Sequence, residues 1–68
     1  MNRGDIKNNK NMLVGWVNDI GDCIQGFHLR KGFVGRYVKS SDLTFDKNGR
    51  IYCYGNGVSD LVREADRS

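Results

Sequence analysis

Two cysteines and one histidine are the side chains of this chain best suited to covalent or metal chemistry. Cys23 and Cys53 lie 30 residues apart without a CxxC motif, and His28 is the one histidine. Zinc sites use four ligands at familiar spacings, which these residues do not provide. A thiol nucleophile needs a base within hydrogen-bond reach, but Cys23 and His28 would point to opposite faces of one strand. We expect cysteines that pack in a β-core, no metal, no cofactor and no enzymatic activity.

The segment DKNG at positions 46–49 resembles the start of a calcium loop. Such a loop needs a bidentate glutamate at its twelfth position, and counting from Asp46 that position is Gly57. The same four residues suit a hairpin turn, because Asn48 and Gly49 tolerate positive φ between two strand-like runs. We predict a turn here.

The segment Gly55-Asn56-Gly57 precedes a predicted helix and is a candidate anion site. Backbone N–H groups at such a position can bind a phosphate or a carboxylate. The lysine and spacing of a P-loop are missing. The alternative interpretation is a joint between a strand and a helix.

Cationic and aromatic side chains alternate in the middle of the chain, and this is the most suggestive pattern in the sequence. Proteins that bind single-stranded nucleic acid combine aromatic platforms with cationic grooves, and protein interfaces are rich in tyrosine and arginine. The alternative is an aromatic core and subunit interface with solvated edge cations. The candidate residues for binding nucleic acid or a protein partner are Arg30, Lys31, Arg36, Tyr37, Lys39, Arg50, Tyr52 and Tyr54.

Turn signals divide the chain after Met12 into short runs of β-forming residues. These runs are MLVGWV, CIQGFHL, GFVGRYV, LTF and RIYCY, and their short connections require antiparallel pairing. In the tail, Leu61, Val62 and Ala65 share one helical face, and Ser59 is a candidate N-cap. The predicted fold is β-rich, either all-β or α+β, with four to five short antiparallel strands followed by one short C-terminal helix.

Gly15, Gly35 and Gly55 are spaced by 20 residues, which is the length of one hairpin. LVGWV aligns with FVGRY, whereas the third copy, CYGNG, keeps the glycine and then diverges. The repeat unit would be a β-hairpin, and chance similarity among abundant glycines is the alternative.

With 68 residues and a formal net charge of +3, the chain is expected to form one small domain. Residues 1–11 are polar and without periodicity, so they are predicted to be a flexible arm before a single domain at 12–68 with a helix at 58–67. A core of this size is marginal, so we expect a homo-oligomer, either a dimer or a tetramer. The absence of a signal core or a membrane-length apolar run predicts a cytoplasmic protein with no membrane partner.

The stretch GRYVKSSDLTFDKNGRIYCYGNGVSDLV resembles small bacterial and phage proteins of the beta-flower type. The resemblance rests on turn and strand residues, most specifically between Gly35 and Asn56. It implies stacked hairpins in a symmetric oligomer, and a role as a host-defence antagonist such as an anti-CRISPR protein. No catalytic residue is carried over by it.

The predicted function is therefore non-enzymatic: a small oligomeric protein that binds nucleic acid, encoded by a phage or mobile element and acting against host defence. Two alternatives stay open. One is an inhibitor that binds and blocks a host enzyme or nuclease. The other is a sponge for nucleotides or small anions, built on Gly55-Asn56-Gly57.

Overall fold

The computed structural model describes residues 2–67, which form six strands and one helix. The elements are β1 (Asn2–Lys7), β2 (Leu13–Asp19), β3 (Cys23–His28), β4 (Gly32–Val38), β5 (Leu43–Asp46), β6 (Ile51–Tyr54) and α1 (Val58–Arg67). The strands form one sheet in the order β1-β2-β3-β4-β5-β6, and every neighbouring pair is antiparallel. This confirms the β-rich fold and the C-terminal helix, with six strands instead of four to five.

The additional strand is β1, which occupies most of the segment expected to be a flexible arm at 1–11. Its sequence NRGDIK has a single large apolar residue, Ile6, and so lacks the alternation that identifies a half-buried strand. Main-chain pairing with β2 and burial of the Ile6 side chain hold it in the sheet. Met1, at the start of the predicted arm, and Ser68, at the end of the predicted domain, lie outside the described residues.

The sheet consists of three hairpins, each with a β-bulge in its second strand. In each hairpin one residue of the second strand has no partner: Val14 in β2, Val34 in β4 and Tyr52 in β6. The pairings between hairpins, β2 with β3 and β4 with β5, run without a shift. A hairpin of about 20 residues is thus the repeating unit in the structure. Gly55 departs from the pattern, since it follows β6 with a φ of 77°.

Three strand glycines allow α1 to lie close to one face of the sheet. A Cβ atom added to Gly15 would lie 2.6 Å from Cγ1 of Val62, and one added to Gly26 would lie 2.5 Å from Cγ1 of Val58. At Gly35 it would lie 2.5 Å from Cδ1 of Leu61. The core between helix and sheet is aliphatic, and its buried members are Ile6, Val14, Val34, Val58, Leu61 and Val62.

Candidate functional site

The face of the sheet opposite α1 carries a row of aromatic side chains. Trp16 and Phe27 each follow a glycine that faces the helix, and alternation along the strand turns them to the other side. Trp16 pairs with Phe27, and Phe27 pairs with Phe33. The Trp16 and Phe27 rings are stacked, with centroids 5.4 Å apart and planes at 14°. Phe33 meets Phe27 edge-on, with centroids 5.9 Å apart.

A second row of mostly polar side chains crosses the same face, parallel to the aromatic row. Residues directly opposite each other in neighbouring strands share a face, so the register defines this row across all six strands. Its members are Arg3, Asn18, Gln25, Arg36, Phe45 and Ile51. We call this side of the sheet, which carries both rows, the uncovered face, because no other described element packs on it.

Two arginines of the uncovered face lie over aromatic rings. The guanidinium carbon of Arg3 is 4.8 Å from the centroid of the Trp16 ring, and that of Arg36 is 5.8 Å from the centroid of Phe45. Arg3 also lies 3.7 Å from a carboxylate oxygen of Asp5, which offsets part of its charge. Arg36 is exposed and forms no ion pair with any described residue, so its charge is available to an anion.

Two of the eight residues predicted to bind a partner lie on the uncovered face. These two are Arg36 and Tyr54. Val38 lies two residues after Arg36 on β4 and so has its side chain on the same face. Because Val38 pairs with Leu43 and Leu43 pairs with Tyr54, the Tyr54 side chain lies on this face too. The Tyr54 side chain is 85% exposed. It is therefore the most accessible aromatic residue in the described chain.

Tyr37 and Lys39 are used in contacts within the chain. The Tyr37 hydroxyl donates to Oδ1 of Asp42 over 2.6 Å, and this hydrogen bond raises the pKa of Tyr37 above its usual value. Lys39 Nζ lies 3.0 Å from Oδ1 of Asp19. The backbone N–H of Gly21, followed by Lys39, lowers the pKa of the Asp19 carboxyl.

Arg30, Lys31 and Arg50 lie in connecting turns at one end of the sheet, where Arg30 and Lys31 contact the last turn of α1. The Arg30 guanidinium is 3.6 Å from Asp66, and Lys31 donates through Nζ to the carbonyl of Ala65. The backbone N–H of Arg50 donates to Oδ1 of Asp46, the last residue of β5. The structure thus brings these three cations to the same end, separate from the aromatic row.

Tyr52, the eighth predicted residue, occupies the bulge of β6 and faces the helix side. Its ring carbons lie about 3.5 Å from the position a Cβ atom would take on Gly57. Burial, with the charges of Glu64 and Asp60, raises the pKa of the Tyr52 hydroxyl. Tyr52 therefore contributes to the joint between sheet and helix.

The Gly55-Asn56-Gly57 segment uses the N–H groups of both glycines within the chain. Gly55 donates to the carbonyl of Asp42, and Gly57 donates to the hydroxyl of Thr44 over 2.9 Å. The N–H of Val58 donates to the side chain of Asn56 over 3.2 Å, which makes Asn56 the side-chain cap of α1 in place of Ser59. An anion would have to displace these bonds, so the geometry is that of a strand-to-helix joint.

His28 is fully committed to structural hydrogen bonds. Its side chain is 1% exposed, and its Nδ1 accepts from the backbone N–H groups of Arg30 and Lys31. The ring is therefore a neutral tautomer whose Nε2–H donates to Asp66 over 3.1 Å. Both cysteines are free thiols, and within residues 2–67 no group of His, Cys, Asp and Glu could hold a metal ion.

Sequence reasoning missed Arg3, Asn18, Gln25, Phe27 and Phe45 as members of a shared surface. The signal in the sequence that could have identified this surface is the set of strand glycines. If Gly15, Gly26 and Gly35 face the helix, the residues next to them in each strand face the other side of the sheet. The bulges then shift the alternation by one residue in three strands, which a sequence pattern does not reveal.

Comparisons with protein families, curated proteins and solved structures found no match to the chain. Within the described residues, no helix has the length and apolarity needed to cross a bilayer.

Proposed function

We propose that this protein is a non-enzymatic binder of single-stranded nucleic acid and that the uncovered face is its binding surface. The observation that carries the proposal is the row Trp16, Phe27 and Phe33 beside a row of arginines and amides. Unpaired bases stack on aromatic rings whatever their sequence, while cations hold the phosphates. Fully paired duplexes keep their bases stacked inside and would not use such a surface.

Trp16 supplies the proposed primary stacking position. Its ring stacks with Phe27, and the guanidinium of Arg3, whose side chain is 61% exposed, lies over the ring. A base would take the place of Arg3 on the ring, and the released guanidinium would reach a phosphate. Asn18 and Gln25, in the neighbouring row, present amides that can donate to or accept from the edges of bases.

Self-association is a second proposal, and it rests on incomplete burial of the aromatic residues. The chain has seven aromatic residues, and none of them is buried in the described structure. Ile51 and Tyr54 are 56% and 85% exposed on β6, which is an edge strand of the sheet. Pairing of β6 edges between copies would cover both side chains and satisfy unpaired main-chain groups. Native mass spectrometry should then detect an oligomer that Tyr54→Ser converts to the monomer.

The two alternative functions use different parts of the molecule. An inhibitor of a host enzyme or nuclease, in a conflict between phage and host, would use the same uncovered face but would bind a folded protein independently of oligonucleotides. A nucleotide or anion sponge would use Gly55-Asn56-Gly57, where the N–H groups of Gly55 and Gly57 already have partners. The aromatic row favours nucleic acid over the sponge, and the binding of oligonucleotides distinguishes it from the inhibitor.

The test is the binding of a fluorescent single-stranded oligonucleotide, followed by anisotropy at low and physiological salt. Arg3→Ala and Arg36→Ala should each weaken binding by about tenfold, and affinity should fall steeply with salt. Arg67→Ala is the matched control, because Arg67 is an exposed arginine on α1, on the other side of the sheet. Equal losses in all three variants, or affinity that is independent of salt, would contradict the proposal.

A further inference from the structure

The three turns at one end of the sheet are uniformly basic. They comprise residues 8–12, 29–31 and 47–50, and they connect the two strands of each hairpin. Together they contain five cations and no acidic residue, namely Lys10, Arg30, Lys31, Lys47 and Arg50. The turns between hairpins, at the other end, hold Asp22, Lys39 and Asp42, so their formal charge is −1. The molecule therefore presents one end with an excess of cations, where Asp66 of α1 lies 3.6 Å from Arg30 and offsets part of the charge.

Exposed aliphatic side chains project from the same end. Met12 is 60% exposed, Leu13 is 41% exposed and Leu29 is 50% exposed. The N–H of Leu29 donates to the carbonyl of Val14 over 3.0 Å, which places the two turns side by side. Met12, Leu13 and Leu29 also line one cavity of about 280 Å³. We call these three residues the apolar tip.

The main chain fixes the shape of the apolar tip. Oδ1 of Asn8 accepts from the N–H groups of Lys10 and Met12, and Asn11 adopts a φ of 61°. This tight turn holds the Met12 side chain outward. Since Leu13 pairs with Lys7, a further cation lies directly beside the tip. Lys7 and Lys10 form no ion pair with another described side chain.

We propose that the apolar tip and the basic turns form a docking surface for an anionic lipid membrane, in contrast to the absence of a membrane partner expected from the sequence. Aliphatic side chains on a projecting tip can enter the acyl boundary without a complementary pocket, while the surrounding cations are attracted to anionic headgroups. The tip has no aromatic ring on which a base could stack, so it differs in chemistry from the uncovered face. The two surfaces adjoin at Leu13, which begins β2 and pairs with Lys7, whereas Met12 and Leu29 lie in turns at the end of the sheet.

The experiment is co-sedimentation of the full chain with vesicles of phosphatidylcholine, with and without about one third phosphatidylserine. The protein should sediment with the anionic vesicles and stay in solution with the neutral ones. Leu29→Ser and Met12→Ser should each lower the partition coefficient by about tenfold, because each removes an inserted side chain. Lys10→Gln should lower it by about fivefold, and added salt should lower it further.

Ile20→Ser is the matched control. Ile20 is an aliphatic turn residue, 42% exposed, at the opposite end of the sheet, so its loss should leave partitioning unchanged. The proposal is overturned if anionic vesicles do not bind the protein, or if the tip variants bind as the parent does. It is also overturned if the tip is covered by a second copy, which sedimentation without vesicles would reveal as a dimer that Leu29→Ser dissociates.

Discussion

Gly35 is the residue at which the smallest change should have the largest structural effect. A Cβ atom there would lie 2.4 Å from the carbonyl oxygen of Phe45 and 2.5 Å from Cδ1 of Leu61, so both strand pairing and helix packing would have to shift. We expect Gly35→Ala to lower the free energy of unfolding by about 3 kcal/mol, as measured by urea denaturation.

The control for this prediction is Gly4→Ala on the edge strand β1. Its added Cβ would lie 3.3 Å from Cγ2 of Val17, a contact that a small movement relieves. The loss should stay below about 1 kcal/mol. Equal losses of unfolding free energy at Gly4 and Gly35 would show that α1 does not pack closely against Gly35.

Tyr37 should make stability depend on alkaline pH. Its hydrogen bond to Asp42, with burial and the Asp42 charge, raises its folded pKa above 10.0. A raised folded pKa stabilises the fold below the unfolded value, and this contribution is lost as pH rises through the folded value. The melting temperature of Tyr37→Phe should therefore fall less steeply than that of the parent between about pH 8 and about pH 11, on either side of the usual tyrosine pKa of about 10.

The melting temperature of Tyr37→Phe should still fall at alkaline pH, because burial also raises the pKa of Tyr52. Tyr54→Phe is the control, since the Tyr54 side chain is exposed. If Tyr54→Phe and Tyr37→Phe change the alkaline profile equally, the hydrogen bond to Asp42 is not the cause.

At the scale of elements, Thr44 joins the last hairpin to the helix. Its side chain is fully buried; its hydroxyl donates to the carbonyl of Gly55 over 2.6 Å and accepts from the N–H of Gly57 over 2.9 Å. Thr44→Val keeps the shape but leaves both backbone groups without a partner. We expect a loss of about 2 kcal/mol in unfolding free energy, measured by thermal or urea denaturation.

Thr44→Ser is the matched variant, because it keeps the hydroxyl and removes one methyl group. It should cost about 1 kcal/mol, less than the valine variant. The reverse order would mean that methyl packing matters more at this joint than the two hydrogen bonds.

Most elements could be predicted from the sequence, because their patterns are local. The runs that predicted five strands correspond to β2 through β6, and the periodicity of Leu61, Val62 and Ala65 predicted the helix. β1 was missed because main-chain pairing holds it and its side chains show no pattern. The site was found only in part for a related reason: residues such as Arg3 and Trp16 are far apart in sequence, and only the register joins them.

At the scale of the whole molecule, the hairpin repeat separates three surfaces. One sheet face holds the helix, the other holds the aromatic row, and the turns within hairpins collect the cations at one end. Three bulged hairpins in series produce this separation, although the aromatic row and the helix-facing glycines come only from β2, β3 and β4. The net charge of +3 is therefore less informative than its placement.

The most direct test of nucleic-acid binding on the uncovered face is the fluorescence of Trp16, the one tryptophan of the chain, during titration with a short single-stranded oligonucleotide. If bases stack on the uncovered face, Trp16 emission should be quenched in a saturable way. The midpoint should move to higher oligonucleotide concentration as salt is added. Emission that stays unchanged while anisotropy reports binding would place the nucleic acid elsewhere, and no binding by either measurement would contradict the proposed function.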